Sequence, residues 1–201
     1  MEKENVLNKS MRDYGKALEA VQIILIGIAA LLVPTFLAQL LTTVFGANSV
    51  IASNSQIIVG SIVNTALIVT AINIKGWKKI AGIITLPSIS AILGGYVFKT
   101  ASVYMCYMIP AIWLGNFAIV YLYKKLLLEK QKNYFLSGIL GIIVKVAIIY
   151  LSFSALNLCG IFPPKLVQNL QTAMGLTQAI TATIGMVIAY TVYIANKRSV
   201  K

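Results

Sequence analysis

The chain contains no histidine, two cysteines and five acidic residues among its 201 positions. Without histidine, and with only Cys106 and Cys159, there is too little to ligate zinc or haem. No cofactor is expected. Neither a GxGxxG run nor a P-loop is present, which excludes the usual glycine-rich nucleotide cradles. The acids are Glu2, Glu4, Asp13, Glu19 and Glu129, all outside the long apolar runs. Proton- and sodium-driven carriers commonly couple through a buried Asp or Glu. This chain has none in its apolar runs.

What is present is mostly hydrocarbon. Hydrophobic residues make up 59% of the sequence and charged residues 11%, where a soluble chain carries about 25% charged. Apolar stretches of about 18 residues or more read as transmembrane helices. The expected fold is all-α and polytopic, with spans at 21–45, 57–74, 80–98, 101–123, 134–157 and 173–195. The first is too long for a signal-peptide core, and no A-x-A site follows it. Residues 1–20 form a partly amphipathic segment: Leu7, Met11, Tyr14 and Leu18 share one helical face, flanked by Lys9, Arg12 and Lys16. That segment either lodges on the membrane surface, the favoured reading, or extends the first span. A basic tail occupies 196–201. The stretch 158–172, with Pro163–Pro164, reads as a polar connection.

The net charge of +12 raises nucleic acid as a partner. Its distribution argues against that, because the cations form no single patch. Four lie in the N-terminal segment, three in 75–79, four in 124–133 and three in the tail. These fourteen of the seventeen fall on one side of the six spans; Lys99 and Lys165 fall on the other. The positive-inside rule then places both termini in the cytoplasm. Both cysteines fall on the outer side. A disulfide is permitted there, but free apolar thiols are favoured.

The seventeenth cation is Lys145, inside GIIVKVAIIY (141–150), about eleven residues from either end of its span. A charge at the bilayer centre costs at least about 2.5–3.5 kcal/mol on insertion scales, so it faces protein or water. Steps of three and four along its helix give Gly138, Gly141 and Ser152. Small residues there admit another helix or a ligand. Similar stripes hold Gly60, Ser61 and Asn64; Ser88, Ala91 and Gly95; and Gln178, Thr181 and Gly185. Most are helix-packing seams. Asn64 and Gln178 stand out, since an unpaired buried amide is costly. Tyr104 and Tyr107 open the fourth span at the outer surface, as cavity lining or as interfacial anchors. The candidate substrate-binding set is therefore Lys145, Asn64, Gln178, Thr181, Tyr104 and Tyr107. It would line a cavity that opens outward, with Lys145 at its floor. No acid is available there as counter-charge. Either the amine is neutral, or a bound carboxylate or phosphate supplies the charge, which makes an anionic small molecule the expected ligand. The plainer alternatives are backbone carbonyls at a helix break and a partner subunit.

Six spans, 201 residues, cytoplasmic termini and the missing nucleotide motif resemble the S components of energy-coupling factor (ECF) vitamin transporters. The resemblance implies a substrate pocket near the outer face and no enzymatic activity. It implies a separate transmembrane scaffold protein and two cytoplasmic ATPases as partners, in the plasma membrane of a bacterium. Family members often carry an A-x-x-x-A contact on helix one; here Ala30, Pro34 and Ala38 hold that spacing, with proline in the middle. Two other readings compete. A structural or assembly subunit would set Lys145 against a partner's acid, with the basic loops docking that partner or anionic lipid. An intramembrane enzyme would have to rely on Lys145 almost alone.

Overall fold

The computed structural model describes the backbone of residues 2–199 and the side chains of residues 14–195. The side chains of Leu7, Met11, Lys9, Arg12 and the tail cations therefore lie outside the described residues. The backbone is helical throughout, with no strand among the described residues: α1 (Glu2–Phe45), α2 (Val50–Ser53), α3 (Ser55–Asn73), α4 (Trp77–Leu93), α5 (Ser102–Met105), α6 (Ile109–Leu122), α7 (Tyr134–Leu158), α8 (Pro164–Met174) and α9 (Leu176–Ser199).

Among the described residues, five stretches are long and apolar enough to cross a membrane: Tyr14–Phe45, Ser55–Asn73, Lys99–Glu129, Tyr134–Leu158 and Pro164–Ala195. The protein is an all-helical, multi-pass membrane protein. The expected third span is α4, whose 17 residues end earlier than the predicted 98. Glycines set its limits. Gly76 (φ 91°) precedes it and Gly95 (φ 70°) follows it, both in a backbone region that other residues adopt only with strain.

Two other elements depart from expectation. α1 is one uninterrupted helix of 44 residues, so the N-terminal segment extends the first span. The favoured surface-lying segment would need a break, and no proline precedes Pro34. The connection expected over 158–172 contains α8. Pro164 occupies its first turn, where a missing N–H costs nothing. Leu170, Ala173 and Met174 are buried on one face of it.

Neighbouring contacts alternate in direction. Lys79 lies beside Glu19 and Gln22, and Ser90 beside Thr35, so α4 runs parallel to α1. Tyr134 meets Met186, and α7 runs antiparallel to α9. The loops at 74–76 and 130–133 therefore share one end, which carries most of the lysines. Gly46, Lys99 and Gly160 share the other. Aromatic residues cluster at the lysine-rich end, where Tyr134 stacks among Tyr123, Tyr190 and Tyr193. Such belts are usual at membrane interfaces. The core has two apolar layers. One holds Leu67, Ile80, Ile119 and Ile142 at the lysine-rich end; the other holds Met105, Ile149, Phe153 and Met174 at the lysine-poor end. Lys145 lies between Ile142 and Ile149, where the layers meet.

Candidate functional site

Two helices, α3 and α6, converge on Lys145 of α7. Its Nζ donates to Asn64 Oδ1 of α3 at 2.6 Å and to Asn116 Oδ1 of α6 at 2.8 Å. All three side chains are 2–3% exposed. Each amide is oriented by what its nitrogen does. Asn64 Nδ2 donates to the Gly60 carbonyl (2.8 Å) and to Thr181 Oγ1 (3.2 Å). Asn116 Nδ2 donates to the Ile84 carbonyl of α4 (3.0 Å). Both oxygens are left facing the amine.

α6 bonds backbone carbonyls of α4 close to the proline inside that helix. Pro87 has no N–H for the carbonyl four residues back, so the ladder is locally open. The adjacent carbonyls are taken up by α6: Ile84 by Asn116, and Thr85 by Trp113 Nε1 at 3.1 Å. Trp113 Nε1 also donates to Ser88 Oγ at 2.9 Å. Backbone freed within a membrane helix is normally satisfied this way by a neighbour.

Close approach is enforced by glycine. A Cβ on Gly60 would stand 2.9 Å from Thr181 Cγ2, and one on Gly185 would stand 2.7 Å from Asn64 Cβ. The α3–α9 seam is therefore tight enough for Asn64 to reach Thr181. Gly115 does the same for α6 and α7, packing against Lys145 Cγ and Ile149.

A cavity of about 70 Å³ reaches Lys145 from Gln56, Val97 and Phe98 at the lysine-poor end. Its wall includes Asn64, Asn116, Ser88, Gln178 and Thr181. A hydrogen-bonded chain follows the same route. Thr181 Oγ1 donates to the Gln178 carbonyl (3.2 Å), while Gln178 Nε2 and Gln56 Nε2 both reach the Ala173 carbonyl (3.3 and 3.4 Å). A lysine ammonium has three donors. Two are held by the amides, and Lys145 is itself part of the cavity wall.

Of the six residues expected to bind substrate, Lys145, Asn64, Gln178 and Thr181 line this cavity; Tyr104 and Tyr107 do not. Tyr104 packs half-buried against the apolar layer at the lysine-poor end, and Tyr107 is exposed. Asn116 was not among the expected residues. Its signal was an amide within an otherwise apolar span, as with Asn64. Ala30, Pro34 and Ala38, expected to dock a partner, point another way. Ala38 and Pro34 are buried and Ala30 half-buried, turned toward the chain's own helices. Outward faces of α1 carry Leu25, Leu32 and Phe36 instead. Cys106 and Cys159 are both free and exposed.

No acid meets Lys145 among the described residues. Glu19 lies 3.9 Å from Lys79, and Glu129 lies 2.8 Å from Lys125. No cluster of metal-ligating side chains occurs among them either. No family model, curated protein or solved structure matches the chain. Fold and site together define a multi-pass helical membrane protein with a buried amine at the inner end of a polar cavity.

Proposed function

We propose that the chain is a solute-binding membrane subunit whose ligand carries an anionic group to Lys145. The observation that carries this reading is a buried lysine that lines the cavity and has two neutral partners and no carboxylate among the described residues. Two amide dipoles hold an amine in place without cancelling its charge. An entering carboxylate or phosphate would complete it with a charge-assisted hydrogen bond, the stronger kind.

In this reading α4 is a sixth span, since 17 residues lie at the short end of the range that crosses a bilayer. Both termini are then cytoplasmic, and the cavity opens to the outside. The chain offers a pocket and no recognisable energy source of its own. That division of labour fits an ATP-driven importer of the energy-coupling factor type, with a scaffold protein and two ATPases as partners. As an assembly subunit, the chain would turn Lys145 toward a partner's acid. At 2% exposure inside its own bundle, Lys145 has no face for one.

The test is gentle extraction of the tagged protein from its own host, followed by mass spectrometry of what co-purifies. Two ATPases and a second polytopic protein are expected. A stable complex with other subunits and no ATPase would sink the importer reading.

A further inference from the structure

The polar cavity is small. Ligand pockets commonly run to about 300–1,000 Å³, and about 70 Å³ accommodates little more than a headgroup. The remainder of any larger ligand needs another place. A second cavity of about 190 Å³ lies beside the first, between α1, α3 and α4. Its wall contains no polar side chain; Ala30, Val33, Ala66 and Ile83 are typical. Val63 of α3 and Pro87 of α4 line both cavities. The two spaces therefore meet across these side chains, at the depth of the lysine. α1, which forms the outer wall, is the least buried of the five long apolar stretches, with 11% of its most apolar window inside the protein.

We propose that the two cavities form one amphiphile site, taking a single-chain carboxylate. The carboxylate accepts from Lys145 Nζ, and the aliphatic tail lies in the apolar groove between α1, α3 and α4. Charge complementarity fixes the head, because Lys145 lacks an acid among the described residues. The lack of any polar side chain in the second cavity fixes the chemistry of the tail. A continuous passage requires the Val63 side chain to move, since Val63 and Pro87 stand between the two spaces. The inference rests on the reading of Lys145 as an anion receptor and adds the class of ligand.

The test is equilibrium binding of radiolabelled butanoate and decanoate to the full-length protein in lipid nanodiscs, with protein-free nanodiscs subtracted. Ala66→Phe fills the groove without touching the amine. It is expected to weaken decanoate by at least about tenfold, since each buried methylene is worth about fourfold in affinity. Butanoate binding should be unchanged, which also reports that the variant is folded. Lys145→Met should abolish both. Decanol should fail to displace decanoate from the unaltered protein, which tests the charge requirement without a substitution. If decanoate binds no better than butanoate and Ala66→Phe changes neither, phospholipid or nothing fills the groove. The amphiphile site is then overturned, and the anion receptor stands. If neither acid binds, or if decanol displaces labelled decanoate as well as unlabelled decanoate does, both are overturned.

Discussion

Removing an amide from beside Lys145 and removing the lysine itself are not equivalent changes. Asn116→Leu leaves a buried amine with one partner and takes a donor from the Ile84 carbonyl. A hydrogen bond to a charged group is worth about 1.5–3 kcal/mol, and the stranded charge makes its loss costly. Lys145→Met keeps the volume and removes the charge, but it leaves both amide oxygens without their donor, at about 1–3 kcal/mol each. The double variant should then lose less than the two singles together, because its second change strands no cation. Apparent unfolding midpoints of the four proteins in one detergent check this non-additivity; losses that simply add would contradict it. The lysine was legible in the sequence because one charge in an apolar run is conspicuous. Asn64, Thr181 and Gln178 followed from polar residues on small-residue stripes. Asn116 did not, because the amide stands alone in α6 and no recurring small or polar stripe gives it a direction. Tyr104 and Tyr107 show the converse: depth in the membrane could be read, but direction around the helix could not.

Helix pairs, rather than single side chains, hold the amides where the amine can reach them. Gly185→Ala puts a methyl group 2.8 Å from Thr65 N as well as against Asn64 Cβ, so it meets α3 backbone. α3 and α9 must separate. Overpacking of this kind costs about 1–3 kcal/mol. The same shift carries Asn64 away from Lys145, so anion binding should weaken along with stability. Gly82→Ala is the matched control, because its methyl group would meet Gly27 Cα at an ordinary 3.6 Å. Thermal midpoints and butanoate binding on both variants test the contrast; equal loss at Gly82 and Gly185 would dissociate seam from site. Apolar length made the long helices legible. α8 escaped because proline and amides masked it, although Leu166, Leu170 and Met174 recur at helical spacing. Pro164 starts this helix rather than interrupting one.

Orientation is a property of the whole molecule, and one short helix decides it. If α4 crosses, Lys99, Cys106 and Cys159 share the lysine-poor face, and Lys78 lies on the opposite one. If α4 stays in one leaflet, everything after it changes sides, and the charge balance fails. Seven further cations at 75–79 and 124–133 would then be split across the membrane. Transferring such loops is what the positive-inside bias opposes. The native cysteines supply the measurement, since both are free and exposed near helix ends. In intact cells an impermeant maleimide should label the unaltered chain. A variant with both cysteines changed to serine should be silent, and adding Lys99→Cys should restore labelling from outside. Adding Lys78→Cys to the same background should give labelling only after permeabilisation. If Lys78→Cys and Lys99→Cys label alike, α4 does not cross and the Lys145 cavity loses its outward mouth.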